Sequence, residues 1–477
     1  MKEENQMPAQ MNPPERSEQC APEGAMPPQK ENIMGTMAVN PLLLKLSVPM
    51  MISMLVQALY NVVDSIFISR VSEEALTAVS LAFSVQNFMI AVGVGTGIGV
   101  NALVSRSLGE KNPKQAQRVA NNGIFLALCS CAVMMAFACF LVKPYFSAQT
   151  SDAEIIREGV NYLFLCCLFS QGLFIQMVME KLLAATGSTK QSMLCQLAGA
   201  VVNIVLDPIF IFGYCGEALS GARGAAIATV IGQAVAAVVG IYFCQCKTSK
   251  LRLAARGFRP HLPTIGQIYG VGAPSIAMMS VGSIMVLGIN QILMTFSATA
   301  VAVFGVYYRL QSFVFMPVFG MNNAVMPIIG YNFGARAPKR IIQCAKLAFL
   351  YVQIIMLLGI GAFVFFPSAL LGIFEASAVM LAIGIPALRI IALSFLFAGI
   401  NMMASTIFQS LGQSIYSFYL SILRQIVILV PVAYLLSLAG AVEYVWWAFP
   451  IAEAGCFVLA VWFLVRVYRK TVRPLAQ

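Results

Sequence analysis

Charge is what this sequence has least of. Only 10% of its 477 residues are Asp, Glu, Lys or Arg, against roughly 25% in a soluble globular chain. So few charges cannot clothe a surface in water, and lipid must take that role. Histidine occurs once, as His261, in a connection between apolar runs. The twelve cysteines include no C-x-x-C pair; Cys166 and Cys167 are adjacent, and Cys244 and Cys246 are two apart. Cys/His metal sites and thioredoxin-like redox chemistry are therefore not expected, and the cysteines read as small apolar packing residues. No G-x-x-x-x-G-K-[ST] loop occurs, which argues against an ATP-driven pump. No catalytic constellation stands out, which argues against a membrane-embedded enzyme. Residues 1–39 lack an apolar segment and a cleavage site; they are polar and carry Pro8, Pro13, Pro14, Pro22, Pro27 and Pro28. They read as a disordered cytoplasmic tail rather than a signal peptide.

What remains is strongly apolar. Hydrophobic residues make up 59% of the chain, and the mean hydropathy is +0.82. Runs of about 20 apolar residues, the length that crosses a bilayer as a helix, recur from about residue 42 to residue 466. The runs are continuous rather than alternating, which excludes an outer-membrane barrel. The fold class is therefore all-α, a polytopic membrane protein of twelve transmembrane helices. The fourth and tenth spans, over 154–185 and 377–410, exceed 25 residues, which permits tilt or kinks.

The connections alternate in Lys and Arg content. One side collects 21 of these residues, among them Arg106, Lys111, Lys114, Lys247, Arg336, Lys339 and Arg340; the other collects Arg70, Lys143, Arg157 and Arg223. Basic connections stay inside, so both termini should be cytoplasmic in a bacterial inner membrane. This rule accounts for the net charge of +11, and no nucleic-acid partner is needed.

Shifting the sequence by 225 residues superposes its landmarks. Pro49 falls on Pro274, Gln86 on Gln311, and Gly95 on Gly320. Gly109, Pro113 and Lys114 fall on Gly334, Pro338 and Lys339, and Gly187 falls on Gly412. Six spans separate equivalent points, so the halves share one membrane orientation. Repeats of this kind place a substrate site between them near mid-bilayer. The implied division is a tail over 1–39, a first lobe over 40–245, a cytoplasmic linker over 246–262, a second lobe over 263–467 and a tail over 468–477.

Ionisable groups inside spans are costly and mark candidate sites. Asp64, Glu180 and Asp207 align with Ile289, Ser405 and Val432, so the repeated scaffold does not require them. Ser53, Gln57, Tyr60, Asn61 and Asp64 form one polar stripe on the first helix, which should face the bundle interior. Asn203 and Asp207 share a face of the fifth helix, and Pro208 deprives the Ile204 carbonyl of its usual donor. An amide, a carboxylate and a free carbonyl suit a proton or Na⁺; a polar kink is the structural alternative. Glu180 adjoins Lys181 near the end of the fourth span. Arg309, Arg389 and Arg424 occupy the second lobe and could pair with Glu453, neutralise one another's surroundings or contact substrate. The 26 methionines and the 10% of aromatic residues would suit an adaptable apolar pocket.

Several segments together resemble the multidrug and toxic compound extrusion (MATE) family, in its MepA-like branch. They are Pro49 with Tyr60–Ser69, Arg106–Asn112, Ala184–Gly187, Asn203–Pro208 and Phe449–Glu453. The resemblance spans about residues 40–470. It implies two six-helix lobes around a cavity and export of organic, often cationic, drugs driven by inward H⁺ or Na⁺. It places Asp64, Asn203 and Asp207 in a cation-coupling cluster, with Thr229 as an added ligand and Na⁺ as a conceivable occupant. It also places Glu180 on an acidic position of that branch. No cofactor is expected beyond the coupling ion; the partners are small organic cations and the bilayer, and the chain is expected to be a monomer. Asn290, Gln291 and Arg389 stand where some members carry acids, so a second-lobe cation site is not expected. The rival reading is a flippase of a lipid-linked or anionic substrate, which Arg309 and Arg389 would suit.

Overall fold

The computed structural model describes residues 32–69, 73–212, 221–247, 258–374 and 377–476. The expected linker falls mostly outside this set, as does nearly all of the expected N-terminal tail. The described chain is helical throughout. Its membrane helices are α1 (Val39–Ser69), α2 (Glu73–Gly109), α3 (Pro113–Phe140), α4 (Ala153–Leu168 and Gln171–Ala185), α5 (Thr189–Ile211) and α6 (Gly221–Tyr242). The second set is α7 (Leu262–Met294), α8 (Ala298–Gly334), α9 (Pro338–Phe365), α10 (Ala378–Ala392 and Phe395–Ser410), α11 (Ser414–Ser437) and α12 (Ala448–Val467). Ten are long and apolar enough to cross a membrane, and the two bent pairs bring the crossings to twelve.

α4 and α10 are the two spans whose length is taken up by a sharp bend. Each bend is 49°, and the breaks stand 224 residues apart, at Phe169–Ser170 and Leu393–Ser394, one residue off the repeat. A buried serine sits in each break, Ser170 and Ser394, with no proline nearby to announce it. α11 is also irregular: Leu423–Leu429 winds as a π-helix just before Pro431, which has no N–H to offer the preceding turn.

The 225-residue repeat extends to backbone detail. Lys111 and Arg336 both take left-handed φ, 55° and 52°, in the turns after α2 and α8. The same six-residue closure follows, Asn112 N–H to Ser107 O and Ala337 N–H to Asn332 O, both at 2.9 Å. Gly187 and Gly412 end α4 and α10 with φ of 81° and 75°. Phe140 and Phe365, at the far ends of α3 and α9, are each 76% exposed, as side chains turned to lipid should be.

Two apolar cores result, one in each set of six helices. The first helix of each set reaches into the other core at its starting end. Val39, Leu42, Leu43 and Leu46 of α1 pack with the second core, while Ile268 of α7 packs with the first. Between them lies a seam made of backbone. A side chain on Gly109 would meet the Tyr331 carbonyl, and one on Gly334 would meet the Arg106 carbonyl, the same contact after a shift of 225. Gly95 likewise abuts Ile276, and Gly320 abuts Met51. Apolar burial gains little between helices already in lipid, so close approach at small residues supplies the adhesion. The seam closes the end that carries Arg106, Lys111, Lys114, Arg336, Lys339 and Arg340, here called the basic face.

One stretch within the expected disordered tail is ordered. Asn32 caps a helical turn over Ile33–Thr36 whose Met34 is wholly buried. Arg340 donates to the carbonyls of Met34 (3.0 Å) and Met37 (2.6 Å), and Asn332 also donates to Met34 O (3.2 Å). Gly35 rests on the Tyr331 ring, and Gly187 of α4 lies against Ile33 and Met34. Backbone carbonyls, which composition does not register, supply the attachment. Arg340→Ala removes two charge-assisted bonds worth roughly 1.5–3 kcal/mol each. Amide hydrogen exchange over 32–38 should then quicken about tenfold or more, with the α9 core unchanged; unaltered exchange there would mean that Met34 burial alone holds the strap.

Candidate functional site

The polar stripe of α1 turns inward against α5. Ser53 donates to the Gln196 side-chain carbonyl, and Gln196 in turn donates to Gln57. Gln196, Asn203 and Asp207 follow at steps of seven and four, which is one face of α5, so this partner was readable from spacing. The α5–α6 pair approaches closely because Gly199 and Gly232 meet backbone to backbone. That approach brings Thr229 of α6 to Asn203, whose Nδ2 donates to Thr229 Oγ1 at 3.3 Å. The Tyr60 hydroxyl pairs with the Thr229 side chain. Asp64 lies near enough to Asp207 for their charges to repel. The side chain of Asn61 lies outside the described residues.

The oxygens of this cluster lack donors. Asp207 is fully buried, and neither of its carboxylate oxygens has a hydrogen-bond partner among the described residues. Asp64 Oδ1 and Asn203 Oδ1 are buried and unpartnered too. An isolated ionised carboxylate in an apolar interior is prohibitively costly, so such groups acquire a proton or a cation. Two carboxylates, an amide oxygen and the Thr229 hydroxyl form a hard-oxygen set of the kind that holds H⁺ or Na⁺.

Glu180, on the second segment of α4, is held differently. It accepts from Gln176 Nε2 at 2.8 Å, and its own carbonyl accepts from Ser192. The neighbouring Lys181 is buried and reaches across the seam to Asn323 Oδ1 of α8 at 2.6 Å. Sequence reasoning noted Lys181 only as a neighbour of Glu180. In the structure it bridges the lobes.

The second lobe pairs its charges. Glu453 of α12 bonds Arg424 of α11 at 3.2 Å and accepts from Asn401 Nδ2 at 2.7 Å. Arg424 lies in the π-helical segment of α11. Arg389 is exposed and donates to the Val364 carbonyl at the end of α9, a cationic cap on that helix. Arg309 is exposed on α8 and has neither an ion pair nor a hydrogen bond among the described residues. The structure thus gathers Gln57, Tyr60, Asp64, Asn203, Asp207 and Thr229 in the first lobe. It holds Glu180 apart on α4, and sets Arg309, Arg389 and Glu453 in three separate places.

Known proteins with this pattern are transporters. A protein named FAD transporter from Shewanella oneidensis is 25% identical over 426 residues, covering 88% of this chain and 94% of its own. The multidrug export protein MepA of Staphylococcus aureus (strain NCTC 8325) is 26% identical over 420 residues, covering 87% and 91%. A solved structure described as the outward-facing conformation of a multidrug resistance MATE family transporter of the MOP superfamily superposes with a TM-score of 0.87. It is 26% identical and covers 94% of this chain and 99% of that one. The MatE family model matches twice, over residues 49–209 and 274–435, so the second match begins 225 residues after the first. The two matches share the repeat read from the sequence and together take in more than half the chain, which therefore belongs to the MatE family of membrane transporters.

Proposed function

We propose that this protein is a secondary exporter of amphipathic organic molecules, organic cations among them, that antiports them against H⁺ or Na⁺ by alternating access. The observation that carries the coupling is the set of four buried, donorless oxygens on Asp64, Asn203 and Asp207. A proton or Na⁺ relieves their repulsion. The ion-free state instead favours water or a cationic group nearby, so ion and drug compete for one negative charge. Competition of that kind is what exchange transport requires. Multidrug transport is supported by the MepA relatives, and the coupling assignment by this geometry. The lobes on this reading are 40–245 and 263–467, each with the first turns of its leading helix packed in the other's core. The basic face is the cytoplasmic one on this reading, so the conformation described is closed to the cytoplasm. The chain is read as a monomer in the inner membrane.

The second reading, a flippase or exporter of anionic substrates, is favoured by one observation, the unpaired Arg309. The relative named FAD transporter also has an anionic cargo in its name.

Asp207→Asn fixes the cluster in a state that resembles the protonated one. Gradient-driven ethidium efflux from proteoliposomes should fall about tenfold or more. Ethidium affinity should weaken and lose its dependence on pH and Na⁺, a dependence of about 5–150-fold in a coupled native protein. Efflux that persists with ion-responsive affinity would move the coupling site elsewhere, with Glu180 the next to test. Topology has its own check: a cysteine at Lys339 should resist impermeant maleimide in whole cells, and rapid labelling there would invert the orientation.

A further inference from the structure

The face of α8 that carries Arg309 can be fixed by what it touches farther along. Gly320 abuts Met51 of α1, Asn323 accepts from Lys181 of α4, and Gly334 meets Arg106 of α2, all in the first lobe. From Arg309 these lie 11, 14 and 25 residues on, close to three, four and seven helical turns. Arg309 therefore points the same way, toward the first lobe, about 16 Å above the Gly320 contact. The opposite face of α8, with Val303, Phe304, Tyr307 and Leu310, is buried in the second core. Across the gap, Ser84 occupies the matching register of α2, and Asn87 one turn below it donates to Ser283 of α7 at 3.2 Å. Arg309 thus stands exposed on the face of α8 turned to the first lobe, beyond the Gly320 contact.

Among the described residues no carboxylate pairs with it. Asp207 is sealed within the first lobe, and Glu453 is engaged by Arg424 and Asn401. A guanidinium within a membrane span, without a partner among the described residues, is costly, and such residues mark substrate or ion pathways. Gly305, one turn above, leaves open space where a side chain would stand.

We infer that Arg309 is a substrate-recognition residue that binds an anionic group, a carboxylate or phosphate, on an otherwise apolar aromatic substrate. Zwitterions satisfy it best: their anion meets Arg309 and their cation belongs with the acidic first lobe. This rests on the exporter reading above and deepens it by naming the substrate class. Guanidinium is suited to the role because its fork of N–H donors matches a carboxylate or phosphate and never loses its charge.

The test uses two probes that differ only in the anion: rhodamine B, whose benzoate is free, and rhodamine B ethyl ester. Binding to detergent-purified full-length protein is read by fluorescence anisotropy, and transport is read separately in proteoliposomes. Arg309→Gln should weaken rhodamine B binding about tenfold or more and change ester binding less than twofold. Arg309→Lys, which keeps the charge without the fork, should fall between. Equal losses for both probes would make Arg309 a packing residue, and an unchanged rhodamine B affinity would remove it from the site; either result overturns the inference. Selective loss of rhodamine B binding upholds it whatever the transport result. Failure of the native protein to move either probe under ΔpH or a Na⁺ gradient would instead overturn the exporter reading.

Discussion

Four glycines let two lobes touch through their backbones, and everything functional in this molecule is arranged around that contact. Gly109 and Gly334 meet carbonyls of the opposite lobe, and Gly95 and Gly320 do the same farther in. In lipid, apolar side chains gain little from meeting one another, so a seam built on leucine would adhere weakly. A seam built on glycine adheres through close packing, and it can part without exposing an apolar surface to water. Its pseudo-two-fold symmetry means that whatever loosens one contact loosens its copy.

α1 ties the seam to the buried acids. Its starting end packs in the second core, Met51 meets Gly320, and its far half lies on α5 through Ser53 and Gln57. Tyr60 and Asp64 follow on the same helix, about 14 and about 20 Å beyond Met51. A helix that touches both the seam and the ion cluster is a physical route between them, since both bias the position of one rigid element. On the function proposed here, binding of H⁺ or Na⁺ beside Asp64 and Asp207 changes the packing of α1 against α5. The other end of α1 transmits that change to the second lobe. In the second lobe Glu453 is already neutralised by Arg424, and on the same proposal this lobe is the body against which the first moves.

Much of this was legible in the sequence, because a bilayer leaves few options. Low charge and recurrent apolar runs dictate helices, and one offset of 225 residues reveals the halves. The same offset holds for left-handed Lys111 and Arg336, and the two bends fall within one residue of it. The α5 face of Asn203 and Asp207 was readable from their spacing, as was the inward stripe of α1. What the sequence concealed depends on backbone irregularity or on carbonyls. The bends of α4 and α10 occur at buried serines with no proline to mark them, and the strap at Ile33–Thr36 is held by bonds to its own carbonyls. Lys181 was only a neighbour of Glu180 in the sequence, yet it bonds Asn323 across the seam. The three arginines looked alike in sequence; only the surrounding helices separate a cap (Arg389), an ion pair (Arg424) and an unpaired charge turned to the first lobe (Arg309).

On the exchange function proposed above, the Gly109–Gly334 seam opens and closes in every transport cycle. Glu110 and Ala335 flank it, each with its backbone N–H beside the opposite glycine. In a protein stripped of its native cysteines, Glu110→Cys and Ala335→Cys would be joined by a short cleavable bis-thiol reagent. Gradient-driven dye efflux from proteoliposomes should stop on cross-linking and return on cleavage, while dye entry into the far side of the cleft persists. Undiminished efflux with the seam locked would contradict the account.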